Sequence, residues 1–74
     1  MCLLNMNKDQ YCVIDAINLD SSFKCRLAAM GLCKNEKICV KQFGLFKSTL
    51  QIEVNRTLIA LRKDEAMHIE VHAA

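Results

Sequence analysis

The second half of the chain alternates apolar and polar residues with a period of two, in short segments separated by brief polar turns. Because successive side chains of a β-strand point to opposite faces, this alternation is typical of half-buried strands. The alternating segments are residues 38–41, 50–54 and 69–72, and the apolar run 58–61 follows the turn 55–57. Four short strands are therefore predicted after residue 36.

The first half of the chain predicts one strand and one helix. Residues 11–17 are rich in β-branched and aromatic types and follow a polar turn, as expected of a strand. Asp20 is a candidate N-cap, since its carboxylate can accept the unpaired amides of a first helical turn. Gly31 is placed to end the helix. The predicted apolar stripe of this helix consists of Phe23, Leu27 and Met30.

Short strands joined by tight turns exclude a parallel sheet, because parallel strands need crossovers of about a dozen residues or more. An antiparallel sheet of five strands has exposed edges, and closure into a barrel removes them. Residues 63–66 suit a single helical turn between the last two strands. The expected fold is mainly β: a small five-stranded antiparallel barrel with one short α-helix.

Length and charge narrow the class further. With 74 residues, the chain is expected to form a single domain spanning 1–74. A hydrophobic fraction of 53% and a net charge of +2 disfavour disorder. No charge-free run approaches the ~20 residues that span a bilayer, and the N-terminus does not resemble a secretion signal. We therefore expect a compact soluble domain in the cytoplasm.

Five cysteines stand at positions 2, 12, 25, 33 and 39, and none forms a Cys-x-x-Cys pair. Structural zinc sites usually draw thiolates in such close pairs, so we interpret most of these cysteines as small apolar fillers. Cys25 lies between Lys24 and Arg26, outside the apolar stripe of the helix, and is the expected exposed thiol. Neighbouring cations favour its thiolate, which leaves a reactive cysteine as the alternative to an inert surface residue.

Three segments together resemble the FeoA family, small accessory proteins of bacterial ferrous iron uptake. Residues 24–32 resemble its basic, Leu-rich helix, residues 50–54 its central strand, and residues 59–71 its C-terminal pattern. The resemblance runs from about Leu4 to Val71. It implies an SH3-like barrel, in agreement with the strand count. It also implies a non-enzymatic role through binding to the membrane GTPase-permease FeoB. We assign no cofactor and no metal to the chain.

Two other functions stay open at this point. One is a free-standing SH3-like regulatory domain, related to those of iron-dependent repressors. The other is a small barrel that binds single-stranded RNA, because lysines and aromatic residues are interleaved between residues 34 and 47. A net charge of only +2 argues against the RNA-binding alternative.

The loop between the second and third strands carries the candidate partner contacts. It joins apolar residues to one cation, and apolar side chains on loops often anchor partners. The family's equivalent loop contains prolines and an acidic residue, whereas residues 44–49 contain neither. A contact through this loop is therefore expected to be more apolar and less rigid. The candidate residues are Phe43, Leu45, Phe46 and Lys47, together with Arg26 of the basic helix.

His68, Glu70 and His72 alternate on one predicted strand and suggest a ferrous site, since imidazole and carboxylate suit that ion. Four residues along a strand span about 13 Å, too far for both histidines to share one metal. We therefore interpret them as a solvated strand face. The sequence contains no recognisable nucleophile–base pair or phosphate-binding loop, so no catalytic residue is assigned.

Overall fold

The computed structural model describes residues 1–74 as five strands, two helices and two 3₁₀ turns. The strands are β1 (Tyr11–Ile17), β2 (Lys37–Phe43), β3 (Thr49–Val54), β4 (Thr57–Arg62) and β5 (Ile69–Ala73). The helices are α1 (Ser21–Ala29) and the single turn α2 (Lys63–Ala66), and the 3₁₀ turns are Leu3–Asn5 and Leu45–Lys47. All five predicted strands, the helix and the turn after β4 are confirmed.

The strands form one antiparallel sheet in the order β4-β3-β2-β1-β5. The mainly β, SH3-like fold class is thus confirmed, but the expected closure is absent, because β4 and β5 are the two edges and do not pair with each other. The two edges differ in whether another segment covers them. The start of the chain covers β5: Cys2 forms a bridge with Glu70, and Met1 accepts a hydrogen bond from the Val71 amide at 2.6 Å.

One hydrophobic core cluster contains residues from every strand, from both helices and from the N-terminal 3₁₀ turn. Alternate residues of β3 and β5 point into it, as the period of two predicts. Leu3 and Met6 are fully buried members, although no strand or helix was predicted around them. No helix of the chain is long and apolar enough to cross a membrane.

Helix α1 begins and ends where the sequence predicts. Asp20 accepts a hydrogen bond from the Phe23 amide at 2.9 Å, and this bond, with a second from the Ser22 hydroxyl, holds the pKa of Asp20 below its usual 3.8. At the other end Gly31 adopts φ +93°, and the Leu32 amide donates to the Leu27 carbonyl at 2.9 Å. This is a Schellman ending, which left-handed glycine favours.

One detail of the predicted pattern is wrong. Met30 lies just past the end of α1 and is exposed, because the turn at Gly31 brings Leu32 into the core in its place. Cys39 alternates with the core residues Ile38 and Val40 along β2 and is only 2% exposed, as expected of a small apolar filler. It lies in register between Tyr11 and Glu53, and these longer neighbours shield its small side chain.

A two-residue turn joins β3 to β4. Asn55 and Arg56 both have positive φ, at 49° and 67°, which is the type I′ geometry that matches the twist of a hairpin. The paired residues on either side are Val54 and Thr57, and the register continues without a bulge to Thr49 and Arg62. The hairpin is therefore regular along its whole length.

Candidate partner-binding loop

The connection between β2 and β3 is a compact turn held by its own backbone. The Gly44 amide donates to the Thr49 carbonyl at 2.8 Å, and the Lys47 amide donates to the Gly44 carbonyl at 3.0 Å. The Ser48 carbonyl then accepts from the Lys63 amide at 2.9 Å, which joins the turn to the start of α2. We call residues 44–47 the apolar loop.

Two consecutive residues of the apolar loop are held in the left-handed region, Phe46 at φ 55° and Lys47 at φ 56°. This conformation costs a non-glycine residue about 1–2 kcal/mol. Such local strain persists only when surrounding contacts impose it, and it concentrates at binding and active sites. Here the hydrogen bonds that close the turn impose it.

Gly44 is required for a different reason. Its φ of −78° suits any residue, but a Cβ at this position would lie 2.0 Å from the Thr49 Oγ1. The close approach of the two chain segments, and not backbone freedom, explains the glycine. It allows the loop to turn tightly enough to project its tip.

The tip of the apolar loop is the most exposed apolar feature of the molecule. Leu45 is 77% exposed and Phe46 is 88% exposed, more than any other large hydrophobic residue. Phe43 behaves differently: it is partly buried against the core, and the Lys47 ammonium lies 4.8 Å from the centre of its ring. Phe43 and Lys47 thus support the loop, while Leu45 and Phe46 are presented outward.

A shallow cleft of about 630 Å³ lies beside the loop, between the start of β3 and α2. Its charged residues are Arg62, Lys63 and Asp64, so cations outnumber acids there. The Lys63 amide donates to the Ser48 carbonyl, so this cleft adjoins the C-terminal end of the apolar loop. The sequence alone does not indicate that residues 62–64 lie near the end of this loop, because it does not show the distance between β3 and α2 in the folded chain.

Arg26, the fifth candidate, belongs to another neighbourhood. Its guanidinium lies 4.7 Å from the centre of the Phe23 ring and 4.0 Å from a Glu65 carboxylate oxygen. The contact with Phe23 lies within α1, the contact with Glu65 links α1 to α2, and neither joins Arg26 to the apolar loop. Its side chain is 68% exposed, so it remains accessible from solvent.

The possible ferrous ligands on β5 have other partners. Glu70 lies 3.2 Å from the Met1 ammonium, and His72 Nδ1 lies 2.5 Å from Asp15 Oδ1 across the β1–β5 ladder. No three His, Cys, Asp or Glu side chains converge in a way that could hold a metal ion.

The lysines between residues 34 and 47 do not share one groove. Lys37 lies over the Tyr11 ring at 5.0 Å, and Lys41 lies 3.8 Å from Glu53. Lys34 lines a separate cleft between α1 and β1. Cys39 and then Glu53 raise the pKa of Lys41, which keeps it charged. Each of these lysines therefore lies beside different residues, and the three do not form one continuous basic patch.

The cysteines divide by exposure. Cys25 is exposed as predicted, and so is Cys33, while Cys12 and Cys39 are buried and Cys2 is intermediate. Burial, with a smaller contribution from nearby Cys39, raises the pKa of Cys12 to about 11. All five are free thiols, and the buried pair acts as apolar filling.

A five-stranded antiparallel sheet with one capped helix and a protruding apolar loop defines a small SH3-like domain. The chain belongs to the FeoA domain family, whose pattern it matches over residues 1–73. It is 31% identical over 72 residues to a Campylobacter jejuni protein named Fe(2+) transport protein A, covering 97% of each chain. A Helicobacter pylori protein of the same name is 28% identical over 72 residues, covering 96% of this chain and 95% of its own.

Solved structures confirm the fold. The FeoA protein from Chlorobium tepidum superposes with a TM-score of 0.92 at 23% identity, over 99% of this chain and 70% of that one. A manganese-dependent transcriptional repressor contains the same fold, with a TM-score of 0.87 at 15% identity over 100% of this chain and 41% of its own. The fold is thus shared by transport and regulatory proteins and does not by itself distinguish between them.

Proposed function

We propose that this protein is a non-enzymatic accessory protein of ferrous iron uptake, which acts in the cytoplasm by binding the GTPase-permease FeoB through its apolar loop. Membership of the FeoA family supports the pathway. The observation that carries the mode of action is the pair Leu45 and Phe46, two adjacent and almost fully exposed apolar side chains on a turn that is strained but hydrogen-bonded.

The energetics favour a role for Phe46 in association over a role in folding. Burying a Phe side chain completely is worth about 1.5–3 kcal/mol. With 88% of Phe46 exposed, at most about an eighth of that value stabilises the isolated chain. The remainder, about 1.3–2.6 kcal/mol, becomes available when a partner covers the ring. That amounts to roughly a 10- to 80-fold change in affinity.

The hydrogen-bonded backbone of the apolar loop would hold Leu45 and Phe46 in a fixed position for binding a partner. The backbone hydrogen bonds within the turn and to α2 restrict the chain before binding, so little further ordering is needed when the partner binds. Lys47 within the loop, with Arg62 and Lys63 in the adjoining cleft, favours approach to an acidic surface of the partner. Arg26 lies apart from this loop, so we propose for it, at most, a peripheral contact.

Binding of purified, detergent-solubilised FeoB to the immobilised chain tests this proposal. Phe46→Ala should weaken binding roughly 10- to 80-fold and leave the melting temperature unchanged, because the ring contributes little to the folded monomer. Tyr11→Ala is the matched control, an aromatic residue that is 52% exposed on the outer face of β1. Equal binding by the wild type and Phe46→Ala, with both folded, would contradict the proposal.

A further inference from the structure

The outer edge of β4 is an unprotected strand edge. In a hairpin with a two-residue turn the first pair, Val54 and Thr57, exchanges hydrogen bonds, and the pairs then alternate. The bond from the Lys63 amide to the Ser48 carbonyl obeys this alternation. The backbone N–H and C=O groups of Leu58 and Ala60 therefore point away from β3, and no other hydrogen bond of the protein reaches them.

This edge lacks the features that usually block strand addition. Natural sheets protect their edges with proline, bulges, inward-pointing charges or a covering segment. The chain contains no proline, and β4 pairs with β3 without a register shift. At the opposite edge of the sheet the residues around Cys2 cover β5. Only β4 is left open.

The side chains around this edge are apolar in the middle and basic at both ends. Leu58 is 56% exposed, and Ala60 is exposed beside it on the same face of the sheet. Arg56 lies in the turn at one end and Arg62 at the other. Strand β4 itself carries no acidic residue, and the nearest acids, Glu53, Asp64 and Glu65, lie on neighbouring elements. Glu53 is paired to Lys41, and Glu65 accepts a hydrogen bond from the Arg62 amide at 2.8 Å and lies 4.0 Å from Arg26.

We propose that the open edge of β4 binds an extended peptide segment of a partner protein, with apolar residues at its centre and an acidic residue at each end. The segment adds a sixth strand to the sheet. Its backbone hydrogen bonds with Leu58 and Ala60, and its acidic ends lie near Arg56 and Arg62. At roughly 3.3 Å per residue, the distance between the two arginines fits a segment of about seven residues.

A second copy of the chain fits the edge poorly. Antiparallel pairing of two β4 strands, with Leu58 opposite Ala60 of the other copy, places Arg56 of one copy opposite Arg62 of the other. Like charges directly opposite each other on paired strands are destabilising. An acidic segment replaces this repulsion by attraction at both ends.

The edge is distinct from the apolar loop, and the proposal does not depend on the binding of FeoB. The test uses the synthetic peptide acetyl-Asp-Thr-Val-Thr-Val-Thr-Asp-amide, which places its two Val residues opposite Leu58 and Ala60 when its Asp residues lie opposite Arg56 and Arg62. It is titrated into the ¹⁵N-labelled chain, with amide hydrogen exchange as the readout. Free Leu58 and Ala60 amides should exchange rapidly and slow at least tenfold at saturation. The amides of Ile59 and Leu61 face β3 and serve as internal controls, already protected and unchanged.

Three comparisons separate edge pairing from other modes of binding. A peptide with Lys at both ends should bind at least tenfold more weakly, and one with alternate N-methylated amides should not bind. Ala60→Pro removes an outward N–H without removing a bond to β3, so it should abolish binding. Ala60→Ser keeps that N–H and should bind normally, as should Phe46→Ala. These peptide comparisons use the wild-type chain and hold even if Ala60→Pro fails to fold.

The opposite results would overturn the proposal. These are absence of protection at Leu58 and Ala60 at millimolar peptide, equal affinity for the acidic and basic peptides, or protection of both amides in the protein alone that increases with protein concentration. The last result would assign the edge to a second copy of the chain.

Discussion

The tight approach of Gly44 to Thr49 predicts a specific energetic coupling. A Cβ at position 44 would lie 2.0 Å from the Thr49 Oγ1, far inside van der Waals contact, whereas the Thr49 Cβ would lie at 3.3 Å. Gly44→Ala must therefore displace the threonine side chain or the start of β3. Overpacking of this kind typically costs about 1–3 kcal/mol. Since the hydroxyl is the main obstacle, removing it should remove most of the cost.

The double-mutant cycle of Gly44→Ala and Thr49→Ala measures this coupling. We expect Gly44→Ala to lower the free energy of unfolding by about 1–3 kcal/mol in the wild type and by less than about 0.5 kcal/mol in the Thr49→Ala background. Urea denaturation supplies each value. Equal costs in the two backgrounds would refute the reasoning, because Gly44 would then be required for something other than its approach to Thr49.

Three further changes follow from the same structure. Asp20→Asn keeps the helix cap but should make stability depend less on pH in the acid range. The Asp20 carboxylate stabilises the folded state above pH 3.8, and this stabilisation is lost as the pH falls through the lowered pKa of Asp20. Thermal melts between pH 2 and 6 measure the difference. The free energy of unfolding should decrease as pH rises from about 9 to about 11, because the Cys12 thiol stays protonated only in the folded state, and urea titrations of Cys12→Ala should lack that component. Arg56→Gly should raise the melting temperature, because glycine relieves a left-handed arginine at φ 67°, a gain of up to about 1 kcal/mol after its entropy cost.

Much of the fold could be predicted because it depends on short-range patterns. The alternation in β3 and β5, the capping carboxylate of Asp20 and the helix-ending Gly31 each act within a few residues of the chain. The features that were missed depend on distant segments. The burial of Leu3 and the cover over the β5 edge require knowledge of which strand the N-terminal turn meets.

The candidate loop was only partly predictable. Its position in a predicted turn between two strands indicated exposed apolar contacts, and Leu45 and Phe46 are exposed. Hydrophobicity alone could not predict that Phe43 packs against the core while Leu45 and Phe46 are exposed. That difference depends on the side-chain directions that the folded turn imposes. Left-handed geometry at Phe46 had no sequence signal, since neither glycine nor asparagine occupies that position. Arg26 was grouped with the loop by charge, but it contacts Phe23 and Glu65 instead.

The most direct test of the central claim is the initial rate of radiolabelled Fe²⁺ uptake in cells that lack the chromosomal copy of this protein. Each strain carries the wild-type chain, Phe46→Ala or the control Tyr11→Ala, and immunoblots verify equal amounts of the three proteins. The account predicts uptake with the wild type and Tyr11→Ala, and a large loss with Phe46→Ala, whose isolated chain melts normally. Wild-type uptake by cells that carry Phe46→Ala would contradict it.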